Sequence, residues 1–174
     1  NAGGFAVLGE AMHTPDEIAA DIAWIRERID GKPFGIDLVL PASVPEAASL
    51  DDMIAKIPDE QRAFAEKIKK AYDVPDPKEA IALHQWGGLN QELGRAQLDV
   101  LLDERVPLIA SGLGSPAFIL DAAHERDMLV FGLVGKARQA KRQLEAGVDG
   151  IIAQGYDAAG HTGAVGTFSI VPEI

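Results

Sequence analysis

Three observations predict a parallel α/β fold: short, almost wholly apolar runs of strand length, amphipathic segments between them, and turn residues at their junctions. In the C-terminal half each strand-plus-helix unit takes roughly 20 residues. That is the spacing of parallel strands joined by right-handed crossovers.

Residues 5–8 form an apolar run bounded by Gly, suited to a buried strand. Thr14-Pro15-Asp16-Glu17 then carries a cap, a proline for the first helical position and the Glu of a capping box. Ile18, Ile22, Ile25 and Ile29 follow at helical spacing, and Gly31 marks the stop. Residues 33–40 read as a strand covered on both faces, being apolar nearly throughout. From 41 to 105 strict alternation is interrupted. Two short helices (about 49–56 and 59–72), a Pro-rich turn at 74–77 and a longer helix near 90–104 read as an elaborated crossover. The stripe of that last helix is assigned to Leu89, Leu93, Ala96 and Val100. A separate domain is disfavoured, because neither flank resembles a flexible linker.

Alternation then resumes: a strand at 106–110, a helix from Ser115-Pro116 to about Arg126, and a strand at 128–134. A helix over about 136–146 follows, with Ala137, Ala140 and Leu144 inward. Gly147 stops it, and a strand occupies 150–153. An open doubly wound sheet and a closed barrel share this local pattern. The unusual loops all follow the C-terminal ends of strands, where either architecture places its site. The opening Asn1-Ala2-Gly3-Gly4 and the helix-like start at Val171-Pro172 both read as cut ends.

A net charge of −11 with dispersed acidic residues argues against nucleic-acid binding, which requires a clustered basic face. No apolar run approaches the ~20 residues of a membrane span. The chain has no cysteine, which removes disulfides, thiolate metal sites and Cys nucleophiles and fits a reducing, cytoplasmic setting.

The loop Gln154-Gly155-Tyr156-Asp157-Ala158-Ala159-Gly160-His161-Thr162-Gly163 follows a very apolar strand. Its small residues permit close backbone approach to a flat or anionic ligand, and a His there is suited to proton transfer near neutrality. An incidental His on a surface loop is the competing reading. Ser111-Gly112-Leu113-Gly114-Ser115-Pro116 is a Gly-rich turn opening a helix, either a phosphate cradle or a plain connection. Asp37 is a lone carboxylate in an apolar strand; it either faces a ligand at the strand end or meets a backbone amide. His13, His84 and His124 have no metal-ligand spacing, so no metal site is expected. Trp24 and Trp86 are assigned to packing.

Taken in order, these motifs resemble the nitronate monooxygenase (2-nitropropane dioxygenase-like) family. Asn1-Ala2-Gly3-Gly4-Phe5 is similar to the family's turn at the second barrel strand, and Lys32-Pro33-Phe34-Gly35-Ile36-Asp37-Leu38 to its third strand. Ser111 to Pro116 resembles the Gly-rich turn after the fourth. Ala153-Gln154-Gly155 through Gly160-His161-Thr162-Gly163, with Ile170-Val171-Pro172, resembles the sixth strand and its catalytic loop.

The resemblance implies a (β/α)8 TIM barrel, here a partial barrel of about five or six β/α units over 1–174, lacking the first strand and the last two. It implies FMN as cofactor and oxidation of nitroalkanes or alkyl nitronates with O2 to carbonyl compounds and nitrite. His161 would be the base, and Asn1, Asp37, Ser111, Gly112, Gln154, Gly155 and Gly160 would line the flavin. Phosphate in such barrels binds after strands seven and eight. The segment alone is therefore expected to hold FMN weakly or not at all, to be inactive, and to expose aggregation-prone strand edges. Two positions depart from the family pattern: Asp37 stands where Asn is usual, and Leu133 where some relatives present Lys. An FMN-dependent enoyl-acyl carrier protein reductase using NAD(P)H is the alternative within the barrel class. A non-catalytic binding module is the alternative outside it.

Overall fold

The computed structural model describes residues 3–40, 55–75, 91–112, 114–158, 160 and 163–174. Five strands form one sheet whose spatial order equals their order in the chain, all neighbours parallel. They are β1 (Val7–Gly9), β2 (Gly35–Val39), β3 (Leu108–Gly112), β4 (Leu129–Val134) and β5 (Gly150–Ala153). The helices are α1 (Pro15–Arg26), α2 (Asp59–Ala71), α3 (Gln91–Asp103), α4 (Leu120–His124), α5 (Ala137–Ala146) and α6 (Thr167–Glu173). Short 3-10 turns cover Pro116–Ile119 and Tyr156–Ala158.

Helix α1 starts as its sequence dictates. The Thr14 hydroxyl accepts from the Glu17 N–H at 3.3 Å, and the Glu17 carboxylate accepts from the Thr14 N–H at 2.8 Å. Ile18 and Ile22 are fully buried, with Ile25 and Ile29 packed alongside. On the sheet, Ile36, Leu38, Ile109 and Val130 face these helices, joined by Leu98, Leu101, Leu102, Ile119, Leu120 and Ala123 in one core. Each of the Ile, Leu and Val side chains contributes roughly 1.5–3 kcal/mol by leaving water.

The opposite, inner face is built in layers that the register fixes. Val7, Gly35 and Leu108 share one level; Gly9, Asp37, Ala110, Phe131 and Gly150 share the next. Leu133 pairs with Ile152 above them. Two glycines here make room for neighbours. A Cβ on Gly35 would sit 2.7 Å from the Leu108 side chain, and one on Gly150 would sit 2.7 Å from the Phe131 ring.

The structure corrects several expectations. The buried stripe of α3 is Gly94, Gln97, Leu98, Leu101 and Leu102, one position round from the Leu93–Ala96–Val100 line, which is only half-buried. Gln97 disguised it: a polar residue at the centre of the stripe, donating to the carbonyls of Ala11 and His13 at 3.4 and 2.6 Å. On α5 the inward residues are Ala140 and Gln143; Leu144 is 51% exposed. Trp24 is exposed rather than packed, with the Arg28 guanidinium 4.2 Å from its ring. The expected helix at 115–126 divides into a 3-10 turn and α4, while α6 begins at Thr167. Helix α2 lies where the crossover was expected, with no buried residue. Leu89, Trp86, His84 and most of the helix expected at 49–56 lie outside the described residues.

Candidate active site

The C-terminal ends of the strands gather most of the polar groups that the sequence singled out. Asp37 sits mid-sheet on the inner face, in register with Gly9 on one side and Ala110 on the other. Its Oδ1 is buried with no hydrogen-bond partner among the described residues. Burial pushes the carboxyl above its ordinary 3.8, while the nearby Gly112 N–H pulls the other way. Asp37 thus lies in the middle of its strand rather than at the expected strand end, and it neighbours a backbone amide.

Gly112, at the end of β3, lies opposite Val39. Ser111 is fully buried, but its register partner is Leu38 and it follows Ile109 by two residues, so its side chain belongs to the helix-facing side. Its Oγ has no partner among the described residues. Only its backbone is placed to meet a ligand on the inner face.

Gln154 closes β5 by donating its backbone N–H to the Val134 carbonyl at 2.9 Å. Beyond it the loop is anchored twice. A Cβ on Gly155 would lie 2.1 Å from the Thr167 backbone nitrogen, and one on Gly163 would lie 2.3 Å from the Gly135 carbonyl. Glycine is therefore required at both points by the chain's own packing. Asp157 accepts from the Thr167 N–H at 2.9 Å and from its hydroxyl at 2.8 Å, which caps α6 from across the loop. These bonds hold its carboxyl below the ordinary value. Gly160 takes a left-handed φ of 73° and is exposed. His161 and Asn1 lie outside the described residues.

A cleft of about 540 Å³ opens beside this loop, among Ser115, Leu133, Lys136, Arg142, Gln143 and Gln154. Gln143 reaches across to the Gly114 carbonyl at 3.0 Å and lies flat over Gly132, where a Cβ would collide with its amide. Lys136 and Arg142 have no ion-pair partner among the described residues, which makes this mouth cationic on a chain of net charge −11.

One group the sequence reading missed lies at the end of β1. Glu10 is buried, and its Oε2 is 2.5 Å from His13 Nδ1, which is also 3.2 Å from Asp21 Oδ2. Burial raises the Glu10 carboxyl, and the bond to Glu10 raises the His13 imidazole. A signal was present: Glu and His three apart in the turn immediately after a strand. His124 has a structural role, bonding Asp149 at 3.0 Å.

Parallel β/α units whose spatial order follows the chain define the class, part of a (β/α)8 barrel, and several of their polar groups collect at the strand C-termini. The structure is similar to a nitroalkane oxidase from Streptomyces ansochromogenes, with a TM-score of 0.68 and 22% identity over 95% of this chain and 46% of that one. It is also similar to FabK from Thermotoga maritima, with a TM-score of 0.65 and 22% identity over 99% of this chain and 39% of that one. Residues 1–174 match the family model described as nitronate monooxygenase, and the chain belongs to that family. A Mycobacterium tuberculosis protein provisionally named a monooxygenase is 39% identical over the whole chain and 48% of its own length. A Staphylococcus saprophyticus protein provisionally named a nitronate monooxygenase is 23% identical over the same shares. The chain thus spans about half the length of these relatives. Among the described residues, no helix is long and apolar enough to cross a membrane.

Proposed function

We propose that this chain is the part of an FMN-dependent nitronate monooxygenase that carries the catalytic base, and that the enzyme converts nitroalkanes or alkyl nitronates, with O2, to carbonyl compounds and nitrite. Family membership over residues 1–174 is the observation that carries the reading. The inner face suits a flat heterocycle: small residues at Gly9, Ala110 and Gly112 leave room, and Asp37 Oδ1 lacks the donor that a ring N–H provides. Asp37, the backbone at Ser111 and Gly112, Gln154, Gly155, Gly160 and Asn1 would hold the cofactor. FMN, when bound, supplies the electron acceptor that O2 re-oxidises.

His161 would take the α-proton of a nitroalkane, or face a nitronate that has already lost it. The described residues on either side of His161 are held by packing, Gly155 against Thr167 and Gly163 against Gly135. Lys136 and Arg142 would draw the anionic nitronate toward the cleft and offset the Asp37 carboxylate. Because this chain covers about half of its relatives, the segment alone would bind FMN weakly and be inactive.

The test uses the full-length protein containing this chain, native and His161→Ala, purified with FMN. Nitrite release and flavin bleaching are followed with a neutral nitroalkane and, separately, with its preformed nitronate. The expected result is that the native enzyme uses both and the variant only the nitronate. Bleaching by NAD(P)H with neither nitro compound active would replace this reading by the enoyl reductase.

A further inference from the structure

The turn after β1 is chemically unbalanced. The carboxylates of Glu10 and Asp21 both converge on His13 Nδ1, at 2.5 and 3.2 Å, and that nitrogen carries at most one proton. The second Glu10 oxygen, Oε1, is buried without a partner among the described residues. All three residues offer ligand atoms within 4.8 Å of one another. An independent observation comes from α3. Gln97 is fully buried, its amide nitrogen is committed to the carbonyls of this same turn, and its Oε1 likewise has no partner among the described residues. Among the described residues, the buried side-chain oxygens of this neighbourhood therefore outnumber the donors that reach them. Buried acceptors in that excess call for a proton, a water or a cation.

We propose that Glu10, His13 and Asp21 form a binding site for a divalent first-row transition-metal ion, Zn2+ before Mn2+. One imidazole and two carboxylates suit Zn2+, with water as fourth ligand, and the carboxylates keep Mn2+ as the second choice. The side chains of His13 and Asp21 are 45% and 42% exposed, so an ion has an open path, while Glu10 forms the buried floor. The ion would join the β1–α1 turn to the first two turns of α1. The Glu10 N–H donates to the Asp37 carbonyl at 2.9 Å, so the same ion would fix the edge of the candidate flavin surface. Its role is structural, and it is independent of the reaction assigned above.

The full-length protein, stripped with chelator and dialysed, is titrated with ZnCl2 and with MnCl2 by calorimetry. The native protein, Asp21→Asn, His13→Gln and the control His124→Gln are compared, with circular dichroism checking the fold. The expected result is one saturable Zn2+ site per chain, weakened at least tenfold in Asp21→Asn and His13→Gln and unchanged in His124→Gln. Cobalt substitution should give visible d–d bands in the native protein and in His124→Gln alone of the variants. Absence of saturable binding to the native protein overturns the proposal, as does undiminished binding in correctly folded Asp21→Asn and His13→Gln. Asp21→Asn lies on the exposed side and keeps the test available if His13→Gln fails to fold. None of these readouts depends on turnover.

Discussion

Asp37 and Gly112 meet across the β2–β3 seam: a Cβ on Gly112 would stand 4.0 Å from Asp37 Oδ1, an oxygen that is buried and bonds to nothing among the described residues. A carboxylate held this way is paid for by the rest of the fold. Asp37→Asn keeps the shape and removes the buried charge. It should raise stability at neutral pH by on the order of 1 kcal/mol, read as a shift in urea midpoint at unchanged slope. A midpoint that falls instead would mean that the carboxylate is satisfied in solution.

Asp149 gives the acid dependence. Burial raises its carboxyl, but the Val130 N–H at 2.7 Å and His124 outweigh that and hold it below 3.8. A depressed carboxylate adds stability that is present above its unfolded value and lost as pH falls through the folded one. The loss thus sets in around pH 3.8 and deepens as the pH falls further. Asp149→Asn should flatten that acid limb in a thermal-denaturation series, and Asp149→Ala should cost about 1 kcal/mol at neutral pH.

Backbone strain offers a stabilising change. Arg105 ends the approach to β3 with φ at 48°, the left-handed region that Gly31 (69°) and Gly147 (102°) occupy at equivalent helix-to-strand turns. Arg105→Gly should stabilise by roughly 0.5–1 kcal/mol, because relief of the Cβ clash exceeds the entropy cost of glycine. Chemical denaturation tests it; a loss would show that the guanidinium makes a contact worth more than the strain.

The loop anchors predict the opposite sign. Gly155→Ala drives a methyl into the Thr167 backbone, so either α6 or the loop must move. About 2 kcal/mol of stability or more should be lost, and proteolytic nicking between 155 and 167 should accelerate. An alanine variant that cleaves no faster than the native chain would separate the loop from α6.

For the cationic cleft, Lys136→Ala with Arg142→Ala in the full-length protein should raise KM for a nitronate several-fold with kcat unchanged. The difference should fade at about 0.5 M salt, where screening removes long-range attraction. A salt-independent KM would place the substrate elsewhere.

Much of this was legible in the residues. The capping box at Thr14 and Glu17 announced α1, and a single charge inside an apolar run announced Asp37. Local rules failed where tertiary contacts overrode them. Gln97 occupies the centre of a buried stripe because two carbonyls need its amide, so hydrophobic periodicity pointed one residue away. Gln143 displaced Leu144 from the interior because Gly132 left a flat surface for an amide. The helix side of Ser111 followed from strand register, which the motif could not supply. Glu10 and Asp21 are separated by a turn and two turns of helix, and only folding brings them to one histidine.

Because the strands lie side by side in the order in which they are synthesised, each one meets a neighbour that already exists when it leaves the ribosome. Its pairing closes one crossover rather than waiting for a distant partner, which keeps the entropy of ordering small at every step except the long connection from β2 to β3. The chain can therefore grow its sheet in one direction, unit by unit, each finished edge serving as the template for the next.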